Sequence, residues 1–243
     1  MQAVLTLIVI LGFTLTAHAQ TPKHSETLLL NGLDMYFEVY GEGPPLFFLH
    51  GGTQSVALWH EYIEHFAETY EIYLVDLPGH GKSGSREDRF SYQTAHDQIE
   101  GLLTHLGLER INAVGYSLGG EVLLQLAVLD PDRIQRMIVV GSTHHYTPRG
   151  PDEVEFLLSD DAVRSIGTKT LIIMGESDRV AGGDPQRSLQ LAFRLHELLP
   201  NSHLWIVPNE GHRTFDGTGK PEFIRIANEF LGGEWDGPAQ PSK

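Results

Sequence analysis

The sequence predicts an α/β fold, a single domain on a mostly parallel sheet of about eight strands with helices on both faces. Three observations predict it. Short apolar runs alternate with stretches of helical spacing, most of those runs end in Gly- or Pro-rich loops, and 41% of the 243 residues are apolar, enough for one core.

The elements follow in order. Residues 1–20 hold no Asp, Glu, Lys or Arg, and an apolar stretch runs from Ala3 to about Leu15 before Ala17-His18-Ala19, a small-x-small cleavage pattern. Residues 1–19 are therefore expected to be a signal peptide, with the exported chain, secreted or periplasmic, starting at Gln20. The n-region lacks Lys and Arg, so an uncleaved membrane anchor and a buried N-terminal element stay open. Ser25 to Leu30 and Met35 to Tyr40, joined by Asn31-Gly32, read as an antiparallel hairpin at the sheet edge. Pro45 to Leu49 is a strand ending in His50-Gly51-Gly52, and Leu58, Tyr62, Ile63 and Phe66 then repeat at helical spacing. Ile72 to Val75 is a buried strand followed by Asp76-Leu77-Pro78-Gly79-His80-Gly81-Lys82-Ser83, a loop by composition.

Ile99, Leu102, Leu103 and Leu106 mark a helix, Ile111 to Val114 a strand, and Gly119 to Leu129 a helix stopped at Asp130-Pro131. Met137 to Val140, Thr170 to Met174 and His203 to Val207 are three more apolar strands, as central parallel strands are. Helices are expected at about Arg187 to Leu199 and Pro221 to Leu231, and a mobile tail over 232–243. There is no internal repeat and no low-complexity segment.

The net charge of −15 repels phosphate backbones and anionic lipid, which disfavours nucleic-acid binding. No cysteine is present, which excludes disulfides, thiolate catalysis and Cys-ligated zinc.

The chemistry centres on VGYSLGGE, Val114 to Glu121. A serine hydroxyl is a weak nucleophile, so an acylating enzyme must hold it on a fixed support, beside a base and facing oxyanion donors. GxSxG between a strand and a helix provides that support, with Gly115 and Gly119 as the small neighbours of Ser117. Taken alone, the pattern also fits an ordinary strand-to-helix turn. Two further strand ends add to it: Gly175-Glu176-Ser177-Asp178 after one strand offers carboxylates, and Pro208-Asn209-Glu210-Gly211-His212 after the next offers an imidazole.

With His50-Gly51-Gly52 included, the chain resembles the α/β-hydrolase family, in the branch with an HG loop, DxxGHGxS, GxSxGG, GxxD and a GH loop. The resemblance spans roughly Leu28 to Leu231. It implies Ser117 as nucleophile, Asp178 rather than Glu176 as acid, His212 as base, and the backbone N–H groups of Gly52 and Leu118 as the oxyanion hole. It implies no cofactor and no metal. His80 is expected to pack a loop near the site, Asp76 to fix its own loop by hydrogen bonds, and His144-His145 to lie at the surface or pocket rim rather than ligate a metal.

Relatives of this kind insert a helical cap after the nucleophile half, but here only about 144–167 is available. One short helix is expected over Asp152 to Leu158 and a lead-in over Asp160 to Ile166. The cap is minimal, which predicts an open site, or one completed by a partner. Aminopeptidases of this family hold the substrate amine with cap carboxylates, and Glu153 and Glu155 stand out among the few acids in the interval, beside Asp152, Asp160 and Asp161. The expectation is therefore an exported serine hydrolase for small-molecule carboxylic esters or lactones. Aminopeptidase or C–C bond hydrolase activity, or a slow-turnover ligand receptor retaining the triad, are the alternatives. A membrane is expected as a partner only if the N-terminal segment stays uncleaved.

Overall fold

The computed structural model describes residues 21–85, 89–148, 150 and 153–236. The expected signal segment 1–19 lies outside the described residues. No helix among the described residues is long and apolar enough to cross a membrane.

Among the described residues eight strands form one sheet. In chain order they are β1 (His24–Leu30), β2 (Leu33–Tyr40), β3 (Pro45–Leu49), β4 (Glu71–Val75), β5 (Ile111–Tyr116), β6 (Ile134–Val140), β9 (Lys169–Gly175) and β10 (Ser202–Val207); the short β7 and β8 lie apart and are described below. Their order across the sheet is β1-β2-β4-β3-β5-β6-β9-β10. The β1–β2 and β2–β4 pairs are antiparallel and all the others parallel, so the hairpin sits at one edge as its turn requires. Asn31 (φ 50°) and Gly32 (φ 74°) are both left-handed, the conformation a two-residue hairpin needs to match strand twist.

Alternate strand residues feed two cores. Phe47, Leu49 and Ala113 face α2 (Tyr92–Leu106), α3 (Leu118–Leu129) and the end of α5 (Pro185–Leu198). Leu46, Phe48, Val114 and Tyr116 face the segment Val56–Phe66 and α6 (Lys220–Gly232). The helix expected around Leu58 is mostly 3-10, over Val56–Tyr62, and only Ile63–Phe66 (α1) is α-helical. Val56, Trp59 and Tyr62 are its buried residues, spaced by three, which is the repeat of the tighter helix. Ser55 caps it through Ala57 N–H, and Ser91 caps α2 through Thr94 N–H.

Two expectations need correction. No helix forms over the described part of 152–158: Phe156–Leu157 (β8) pairs antiparallel with His145–Tyr146 (β7) as a two-rung ribbon. Alternation decides it, since Phe156 is buried against Tyr92 at a ring separation of 4.6 Å while Leu157 is exposed. The lead-in is α4 (Asp160–Arg164), capped by Ser159. The start of the tail is also anchored. Asp236 accepts hydrogen bonds from Arg136 and is paired with Lys169, and Trp235 packs edge-on against His203 and Phe230. An indole and a paired carboxylate fix the chain there; residues 237–243 lie outside the described residues.

Candidate active site

The site lies at the carboxyl ends of the parallel strands, where loops from six of them meet. β5 runs to Tyr116, two residues beyond the expected end, and Ser117 follows as the residue before α3. Its backbone is held at φ 50°, ψ −119°, a region that costs a non-glycine residue about 1 to 3 kcal/mol. The neighbours maintain it. Ser117 N–H donates to Val140 carbonyl at 2.8 Å, and Ser142 Oγ donates to Ser117 carbonyl at 2.7 Å. A Cβ on Gly115 would lie 2.5 Å from Gly119 carbonyl oxygen, and one on Gly119 would lie 2.4 Å from Leu49 carbonyl oxygen. The turn therefore closes only with glycines at both places.

His212 Nε2 is 3.0 Å from Ser117 Oγ, and its Nδ1 is 2.9 Å and 3.1 Å from the two carboxylate oxygens of Asp178. Asp178 is fully buried and also accepts from Val180 N–H at 2.7 Å. Their two loops are zipped together: Glu176 N–H donates to Val207 carbonyl, and Ser177 N–H donates to Glu210 carbonyl. Gly175 permits this approach, because a Cβ there would lie 2.1 Å from Gly211 carbonyl oxygen. Glu176 instead accepts Asn209 N–H and stays exposed, so the carboxylate that meets the imidazole is Asp178. Tyr116 packs on the His212 ring at 4.9 Å, and Gly141 leaves room beside it.

A cavity of about 590 Å³ opens over Ser117 and His212, with Gly52 and Leu118 in its lining. Leu118 is the first residue of α3, where an N–H has no preceding helical turn to bond. The Gly52 loop is steadied by Gly51 N–H donating to Gln54 Oε1 at 3.2 Å. Beneath it, His50 is fully buried, its Nδ1 2.7 Å from Gly51 carbonyl oxygen and its Nε2 accepting Leu77 N–H at 3.0 Å. Burial pushes the imidazole down to about 4, so it is neutral and ties the loop after β3 to the loop after β4. Asp76 accepts Val56 N–H and Lys82 N–H and has the structural part expected of it. His80 lines the cavity between His50 and Phe90, with Nδ1 on Pro78 carbonyl. His144 is buried rather than at the rim, and His145 is half-buried. No group of His, Asp and Glu among the described residues is arranged to hold a metal ion.

The ribbon in the cap interval supplies one wall through Tyr146, Glu153 and Val154, with the Tyr146 hydroxyl donating to Glu153. Tyr92 and Glu121 also line the cavity, with the Phe156 ring of the ribbon packed on Tyr92. Sequence reasoning passed over Glu121. Its signal was a single charged residue in the helix LGGEVLLQLAVL, apolar apart from Gln125, four residues after Ser117.

Comparison with known proteins gives the same architecture. A family model described as alpha/beta hydrolase fold matches residues 44–162. A pimeloyl-[acyl-carrier protein] methyl ester esterase of Aeromonas salmonicida is 37% identical over 113 residues, which is 46% of this chain and 43% of that protein. The chain thus aligns with less than half the length of that relative. Among solved structures, a meta-cleavage product hydrolase of Pseudomonas fluorescens superposes with a TM-score of 0.74 at 21% identity, over 86% of this chain and 98% of that one. Naproxen esterase of Bacillus subtilis superposes with a TM-score of 0.74 at 18% identity, over 85% and 91%.

Proposed function

We propose that this chain, which has the α/β-hydrolase fold, is a serine hydrolase that cleaves carboxylic esters or lactones through an acyl-enzyme on Ser117. The observation that carries the reading is the continuous line from Ser117 Oγ to His212 Nε2 at 3.0 Å and from His212 Nδ1 to Asp178 at 2.9 Å, at the floor of a cavity. The ester class draws support from the esterases among the relatives and structural neighbours.

His212 Nε2 takes the Ser117 proton as Oγ attacks the acyl carbon, and Asp178 keeps the Nδ1–H tautomer and stabilises the imidazolium. The Leu118 and Gly52 N–H groups bind the oxyanion, each donor contributing about 3 kcal/mol in the transition state. His212 then protonates the departing alcohol and activates the water that releases the acid. Burial keeps Asp178 from competing water, and the strained Ser117 backbone holds Oγ at the cavity floor. Export directed by the N-terminal segment belongs to the same proposal and is tested by N-terminal sequencing of the exported protein: a start at Gln20 supports it, a start at Met1 ends it.

The enzymatic test is turnover of a short-chain aryl ester by the native protein and by Ser117→Ala. Multiple turnovers lost in the variant are expected; equal rates in the two proteins would overturn the mechanism.

A further inference from the structure

Glu121 lines the cavity at a place that ester hydrolysis does not explain. It is only 4% exposed, yet it lines the cavity. One carboxyl oxygen accepts the Tyr92 hydroxyl. The other takes no hydrogen bond from the described residues and is not sealed away from the cavity. Burial pushes this acid up to about 7, with the Tyr92 bond opposing and the charge of Glu153 adding to the rise. Its neighbours Val122, Leu123 and Leu124 are fully buried apolar residues, so nothing in the core calls for an acid here.

A bare carboxylate one helical turn from Leu118 N–H also opposes the reaction, because it repels the oxyanion that forms there. Both difficulties disappear if the occupant of the cavity brings a positive charge to Glu121. The same cavity lining adds a second carboxyl, Glu153, which accepts from the Tyr146 hydroxyl and whose charge acts on Glu121. Ser117 and Glu121 line the same cavity, which places a charge held by Glu121 near the attacked carbon.

We propose that Glu121 is a specificity-determining residue that binds a protonated amine of the substrate close to its scissile carbonyl, so that amino-bearing esters are the preferred substrates. The proposal rests on the serine hydrolase reading for its substrate, though not for the amine subsite itself. The ammonium donates to the free oxygen of Glu121, while Tyr92 holds the other and fixes the carboxyl plane. A charge-assisted bond of this kind is about twice as strong as a neutral one and forms only with the ionised acid. The neutral isostere, with methyl in place of ammonium, gains nothing and leaves the acid unpaired.

The test compares p-nitrophenyl esters of 3-aminopropanoic acid and butanoic acid, which differ by ammonium against methyl, on native protein, Glu121→Gln and Glu121→Asp. The native protein is expected to favour the amino ester in kcat/KM by about tenfold or more, equivalent to about 1.4 kcal/mol. Glu121→Gln is expected to abolish that ratio and Glu121→Asp to restore part of it. Both esters are read on one sample, so the ratio is independent of the folded fraction. A ratio unchanged in Glu121→Gln, or a native preference for butanoate, would overturn the proposal. If the native protein hydrolyses neither ester and Ser117 takes no fluorophosphonate label, the hydrolase reading fails separately. Calorimetric binding of butylammonium then decides the subsite: binding lost in Glu121→Gln supports it, and binding that is absent or equal in both proteins refutes it.

Discussion

Replacing Glu121 by Gln should change how stability depends on pH, and the size follows from its burial. The carboxyl stands at about 7 in the folded chain against an ordinary value of 4.5. Below pH 4.5 the acid is protonated in both folded and unfolded chains and adds no pH dependence. Between the two values the unfolded chain gives up the proton that the folded chain keeps, so unfolding becomes more favourable as pH rises. Above pH 7 both are ionised and the full penalty stands, about 3 kcal/mol. Gln retains a carbonyl oxygen for the Tyr92 hydroxyl and has no proton to lose. Urea unfolding of native protein and Glu121→Gln from pH 4.5 to 8 should therefore show the variant gaining about 3 kcal/mol on the native protein across the window. In a chain of this size that is roughly 6 to 12 °C in Tm. Tyr92→Phe removes the bond that lowers the acid, and should move the window to higher pH. A stability difference that stays flat with pH, or that grows in favour of the native protein, would refute the burial argument.

The remaining predictions concern the triad, the turn and the tail. Asp178→Asn leaves the shape of the site but removes the partner that holds the His212 tautomer, and kcat for an aryl ester should fall by about 10⁴ with little change in KM; a fall under tenfold would contradict it. Ser117→Gly relieves the φ of 50°, whereas Ser117→Ala does not, so urea midpoints should place the glycine variant about 1 to 2 kcal/mol above the alanine variant. Asp236→Asn unpairs Arg136 and Lys169, and should lower the Tm at pH 7. Its carboxyl lies well below the usual range because of those two cations, so the contribution is present above about pH 4 and the difference should narrow as pH falls below it.

Legibility in the sequence followed the range of the interaction. The six parallel strands are local apolar runs and were readable as such, and the first two strands were readable from the Asn31-Gly32 hairpin, whose turn chemistry is contained in two residues. Ser117 directly follows a strand and Asp178 and His212 lie in the loops after two others, so their convergence at the strand ends of one parallel sheet was readable, while the choice of Asp178 over Glu176 came from the resemblance to the family. The ribbon of Tyr146 and Phe156 was not legible. Its pairing crosses the cap interval, and the side of Phe156 is set by Tyr92, far away in sequence. Trp235 and Asp236 were missed for the same reason, since their partners are His203, Arg136 and Lys169. Glu121 stood inside the motif itself, and its meaning depends on burial, which the sequence alone does not state.

The measurement that bears most directly on the serine mechanism is the site of covalent capture. Native protein is treated with an aryl ester under acid quench and, separately, with a fluorophosphonate, and the modified peptide is mapped by mass spectrometry. The acyl and phosphonyl groups are expected on Ser117 in both cases, with neither adduct formed by Ser117→Ala and both slowed in Asp178→Asn. Ester turnover with no adduct on Ser117, or an adduct on another residue that persists in Ser117→Ala, would contradict the account.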